Sequence, residues 1–144
     1  IELQLQKLVT DKVCDVELVE TADGEERPAI VHQNTLTVPR NLIGDIAPDE
    51  VFAYRVADDS MTGRHICEGD IVLLEKRSYA RRGEVVLAHT EDQRTLLGQY
   101  YNHGLETEIR PAAEGYDPII LPADEIIVQG VVRGLIRFHS AHFQ

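Results

Sequence analysis

From Cys14 the chain falls into period two, with Val16, Leu18 and then Glu20 at alternate positions of the run and Asp15 and Glu17 between them, which predicts a half-buried strand. The run ends in Ala22-Asp23-Gly24-Glu25-Glu26-Arg27-Pro28, an exposed turn in which glycine supplies positive φ and proline removes a donor. Ala29 to Val31 and Thr35 to Val38 are rich in β-branched residues and read as one strand or two. Pro39 through Gly44 has the proline-first, glycine-last layout of a single helical turn. Val51 to Val56 alternates and predicts a strand that delivers Asp59-Ser60-Met61 at its end. Gly69-Asp70 then opens the apolar run Ile71 to Leu74, and Gly83 opens Val85 to Ala88.

The polar link Glu91 to Arg94 predicts a hairpin of Val85–Thr90 with Thr95–Tyr101. If Thr90 faces Thr95, then Ala88 faces Leu97 and His89 faces Leu96. Later strands are expected at 106–110, 118–121, 126–132 and 135–138, with turns at Asn102-His103-Gly104 and Glu114-Gly115-Tyr116. Residues 1–12 suggest a short helix or linker. Many short strands with one or two helical turns predict an all-β domain with a strongly bent sheet.

A chain of 144 residues suits one core, and the balance of 14 basic against 25 acidic residues gives a net charge of -11. That charge repels a phosphate backbone and argues against this chain gripping nucleic acid by itself. Cys14 and Cys67 lie far apart in no metal-ligand spacing, so two free thiols and a cytoplasmic, reducing setting are expected. No window reaches the ~18 apolar residues of a membrane span, and no metal or other cofactor is expected. The six histidines include no HxxxH pair, and His139 with His142 is loosely spaced. Because residue 1 is isoleucine, the chain is read as a fragment or a processed product of a longer protein.

The ordered set of motifs then becomes informative: Ser60-Met61, Gly69-Asp70 before a strand, Gly83 before a valine-rich strand, Thr95-Leu96, Arg110-Pro111, Pro118-Ile119, and the closing Gly130-Val131-Val132-Arg133-Gly134-Leu135-Ile136-Arg137. It resembles the C-terminal domain of LexA and the lambda-type phage repressors, chiefly over residues 51–137. The resemblance implies an autopeptidase and dimerisation domain carried behind a DNA-binding domain upstream of this chain. Residues 1–46 would then hold a linker and the former cleavage loop, and 47–144 the β core. In the family a serine attacks a peptide bond of its own N-terminal loop while a buried neutral lysine takes the proton. Burial depresses the lysine's pKa enough for that role.

Ser60 falls on the nucleophile, but Leu97 falls on the base, and leucine accepts no proton. The three lysines, Lys7, Lys12 and Lys76, are no natural substitutes, and the family's Ala-Gly cleavage dipeptide is interrupted here as Ala22-Asp23-Gly24. The resemblance therefore implies a degenerate site in a regulatory domain that keeps the fold without self-cleavage. The alternatives are an active autopeptidase with an unrecognised base and a stand-alone ligand-sensing module. His65 and Cys67 flank Ile66 near Ser60 as a conceivable catalytic pair, against the reading of ordinary loop residues. Gln129, Gly130, Val131, Val132, Gly134 and Ile136 are expected at a homodimer contact, since glycine in a strand admits another backbone. The basic turn of Arg77, Arg81 and Arg82 is either a solvated loop or a surface for an acidic partner. An antirepressor or other protein would be the further partner, with DNA reached only through the upstream domain and no membrane involved.

Overall fold

The computed structural model describes residues 12–21 and 30–138. Nine strands form one sheet in the order β2-β1-β3-β4-β9-β5-β6-β7-β8. They are β1 (Val13–Thr21), β2 (Ile30–Pro39), β3 (Val51–Arg55), β4 (Ile71–Lys76), β5 (Val85–Thr90), β6 (Thr95–Asn102), β7 (Glu106–Arg110), β8 (Ile119–Pro122) and β9 (Ile126–Ile136). Every pairing is antiparallel except β1 with β3. Short 3-10 turns at Arg40–Leu42, Pro48–Glu50, Thr62–Arg64 and Ala123–Glu125 are the helical content of these elements. The all-β expectation is met, and β2 is one continuous strand.

The consecutive apolar runs mark strands buried on both faces. In β3, Phe52 and Tyr54 enter a cluster with Met61, Val72, Leu74, Val85 and Leu87, whereas Val51 and Ala53 join Val16, Leu18, Ile71 and Leu73 on the other side. The expected alternation of β3 is therefore corrected: all four residues from Val51 to Tyr54 are buried. A third cluster, with Val86, Ala88, Ile109, Val128 and Val131, fills the far end.

The closing region differs from expectation. The two strands expected at 126–132 and 135–138 are one strand, β9, that runs between β4 and β5. Its register shifts against β4 between Leu73 and Leu74, and against β5 between Leu87 and Ala88, which leaves Arg133 and Gln129 as the extra residues. Such bulges bend a sheet without ending a strand. Each precedes a glycine, Gly134 and Gly130, and the glycines mimic a break in the sequence. At Gly130 the close approach is internal: a Cβ there would meet Phe52 Cε1 at 2.8 Å and Glu75 O at 3.0 Å.

The β5–β6 register is also one residue from the conditional expectation. Leu87 faces Leu97, Ala88 faces Leu96 and His89 faces Thr95. The loop is shorter than the polar run, because Arg94 already belongs to the ladder: the Thr90 N–H donates to the Arg94 carbonyl at 2.9 Å. Gln93 takes φ 72°, the left-handed third position of a three-residue hairpin loop. A one-residue slip exchanges faces, so Leu97 lies on the Met61 and Leu87 side instead of beside Ala88.

Candidate functional site

β3 ends at Arg55, and the chain loops out before returning as β4. The neck is tied by the Val56 N–H to the Asp70 carbonyl, 2.8 Å, and by the Gly69 N–H to the Val56 carbonyl, 2.9 Å. Within this loop Met61 is the anchor. Its side chain is fully buried, and its carbonyl accepts the N–H groups of Arg64 at 2.9 Å and Ile66 at 3.1 Å. Ser60 is thereby held at the rim of the core, 8 % exposed. Its N–H donates to Asp58 Oδ1 at 3.0 Å, and the Glu68 N–H donates to Asp59 Oδ1 at 2.9 Å.

A second segment braces the first. The Ala112 N–H donates to the Ser60 carbonyl at 2.7 Å and the Gly63 N–H donates to the Ala112 carbonyl at 2.6 Å. Gly63 makes this approach feasible, since a Cβ there would lie 2.3 Å from the Ala112 oxygen. The role of this glycine was not apparent from sequence, because its partner is distant along the chain.

Ser60 and Leu97 line one cleft of about 160 Å³, together with Thr95, Ile109, Pro111 and Tyr116 among others. The titratable side chains in that lining are Asp58, Tyr116 and Asp117, and among the described residues no lysine or histidine belongs to it. Leu97 packs partly buried against the Met61 cluster. The next residue, Gly98, is pressed against β7, where a Cβ would lie 2.6 Å from Ile109 Cγ2. Thr95 contributes a buried hydroxyl with no hydrogen-bond partner among the described residues.

The other candidates lie elsewhere. His65 is exposed in the left-handed region at φ 64°, and Cys67 is half-buried with its sulfur 3.5 Å from Arg137 Nη2; neither lines the cleft. Lys76 Nζ donates to the Asp49 carbonyl at 3.0 Å, and Lys12 is exposed beside β1. Lys7, Ala22, Asp23, Gly24, His139 and His142 lie outside the described residues. Cys14 is buried in the core. Among the described residues no cluster of His, Cys, Asp and Glu could hold a metal ion, and no helix is long and apolar enough to cross a membrane.

One ion pair secures the loop from the far end of the chain. Just beyond β9, Arg137 donates to Asp70 through Nε at 2.9 Å and Nη2 at 2.7 Å, and Nη2 also reaches the His65 carbonyl at 3.0 Å. The Arg137 guanidinium, aided by the Cys67 N–H, holds the buried Asp70 carboxyl below the ordinary aspartate range despite desolvation. A carboxyl with a depressed folded pKa contributes stability above its unfolded pKa and loses it as pH falls through the folded one. Arg137→Gln should therefore melt earlier than wild type at neutral pH, with the difference shrinking as pH falls below the aspartate range. Thermal denaturation across an acid series checks this, and a gap that stays constant with pH would contradict it.

Comparison with known proteins agrees with these elements. The family model described as Peptidase S24-like matches residues 17–133. The LexA repressor of Koribacter versatilis is 36% identical over 117 residues, covering 81% of this chain and 53% of that protein. The LexA repressor of Alcanivorax borkumensis is 32% identical over 143 residues, covering 91% of this chain and 70% of that protein. The LexA repressor of Syntrophobacter fumaroxidans is 35% identical over 135 residues, covering 94% and 64%. The chain thus spans about half to two-thirds of the length of these relatives. With a family match through most of the sheet and the Ser60 loop at its centre, this chain belongs to the peptidase S24-like family.

Proposed function

We propose that this chain is the regulatory, dimerising domain of a LexA-like or phage-repressor-like transcriptional regulator, and that its autopeptidase site has lapsed. The observation that supports the reading is the shared cleft, which Ser60 and Leu97 line together; on the family resemblance Leu97 falls where the base would stand. A serine hydroxyl is a weak nucleophile without a base in reach. Of the two carboxylates in the cleft lining, Asp58 already accepts the Ser60 N–H, and the adjacent Asp59 accepts the Glu68 N–H. The regulator works in the cytoplasm and reaches DNA through a domain upstream of this chain. The proposed homodimer contact comprises Gln129, Gly130, Val131, Val132, Gly134 and Ile136, and the exposure of the neighbouring Leu135 and Phe138, 36% and 65%, supports its end near Ile136. Gln129, Gly130 and Val131 would support that contact from within the sheet, since Val131 is buried.

Intact mass after prolonged incubation at alkaline pH tests the reading. The wild-type chain is expected to stay whole. A cut near residues 22–25 that Ser60→Ala abolishes would instead make the domain a working autopeptidase.

A further inference from the structure

Arginines in this acidic chain are mostly neutralised. Arg55, Arg77, Arg94, Arg110, Arg133 and Arg137 each pair with a carboxylate. Among the described arginines, Arg40, Arg64, Arg81 and Arg82 form no ion pair with a described residue. Two of these four, Arg64 and Arg82, line one groove of about 440 Å³, and Arg81 adjoins it in sequence. Its apolar lining comes from Ile66, Val85 and Val131, which are buried, and from the partly buried Val132, at the margin of the core clusters.

The two guanidiniums are held rather than loose. Arg64 Nη1 donates to Gln99 Oε1 at 2.9 Å, leaving its other donors open. Arg82 Cζ lies 4.9 Å from the centroid of the Tyr101 ring, a cation–π contact that leaves the fork of N–H groups unspent. Arg110 lies over the same ring at 3.9 Å but is committed to Glu108, whose carboxyl it holds down at about 2 with help from His103. Glu84 is the carboxylate in the groove, and it is consumed: Arg77 Nη2 lies 3.3 Å from it and the Arg81 N–H donates to it at 2.7 Å.

Two guanidiniums free of carboxylate partners on one groove give it a local positive potential that a bound anion complements. Exposed charge pairs alone contribute little, so affinity requires the apolar lining to be covered as well. We propose that this groove docks an acidic, aliphatic segment of a partner protein, with carboxylates on Arg64 and Arg82 and an aliphatic side chain over Ile66, Val85 and Val132. Charge complementarity selects this occupant; the groove shares no lining residue with the Ser60 cleft, and Val131 and Val132 are the β9 residues it has in common with the proposed dimer contact. The proposal stands whether or not the domain cleaves itself.

The test titrates the intact chain with a labelled peptide of alternating glutamate and leucine, and with the same peptide carrying glutamine for glutamate. The glutamate peptide should bind saturably, weaken with added salt, and shift the amide signals of Arg64, Gly83 and Val85; the glutamine peptide should bind at least several-fold more weakly. The double variant Arg64→Glu with Arg82→Glu should weaken binding by about tenfold or more, given a few-fold for each exposed pair lost and the added repulsion, while Arg40→Glu should leave it unchanged. Absence of saturable binding to wild type, shifts confined to other surfaces, or binding that survives the double reversal would overturn the proposal. The signal map on wild type decides the matter even if the double variant does not fold.

Discussion

Leu97→Lys is expected to make the chain cut itself. The position is partly buried against the Met61 cluster and shares a cleft with Ser60, so an amine introduced there is desolvated and its pKa falls, which leaves a neutral base beside the hydroxyl. General-base assistance typically contributes roughly 100- to 10,000-fold, enough to turn a chain that stays whole into one whose cleavage is readily timed. The rate should climb with pH as the amine loses its proton, because only the neutral form accepts the hydroxyl proton. Intact mass against time at several pH values measures it, with Ser60→Ala in the same background as the control that must stay whole. A Leu97→Lys chain that folds and remains uncut at every pH would mean that the missing base is not by itself what keeps the chain whole.

Met61→Ala should produce the largest loss of stability among substitutions at the site. The side chain has no exposed surface and fills the space among Phe52, Leu74, Val85 and Leu87. Truncating a buried methionine to alanine costs about 2–5 kcal/mol, the transfer loss plus the cavity left behind. At about 2–4 °C per kcal/mol for a domain of this size, the melting midpoint should fall by roughly 4–20 °C. Met61→Leu conserves most of the volume and should cost less than about 1.5 kcal/mol. Denaturant titration of the three proteins gives the comparison, and a small loss for alanine would mean that the loop collapses to fill the hole. Because the Met61 carbonyl also binds the Arg64 and Ile66 amides, the alanine variant should loosen the Ser60 loop first, seen as faster amide exchange there.

Most of the sheet was legible in the sequence because its punctuation is local. Gly83, Gly104 and Gly115 take φ of 84° to 87° at the turns where they were expected, and the runs of Val, Ile and Leu between them are the strands. The same punctuation misled at β9, where glycines after two bulges looked like a strand end. The hairpin register was not legible, because it depends on whether Arg94 closes the loop or belongs to it, and Gln93 gives no compositional sign of its left-handed backbone. At the site, Ser60 and Leu97 emerged from a resemblance over ordered motifs, and the fold does bring them to one cleft. The braces around them did not: Gly63 with Ala112, and Asp70 with Arg137, are contacts between distant segments that no periodicity encodes.

The parallel pairing of β1 has a consequence for what a cut would do. β1 is flanked on one side by β2, from Val13 opposite Pro39 to Thr21 opposite Ile30, and on the other by β3. Val16, Leu18 and Val19 along it are buried. Severing the chain between β1 and β2 breaks one covalent bond but removes none of these ladders or packed side chains. The upstream piece would remain seated as the missing strand of a complemented domain, leaving only when the sheet itself opens. Scission would then be a nick rather than a separation, and any change in activity that depends on parting the two pieces would be timed by the withdrawal of β1.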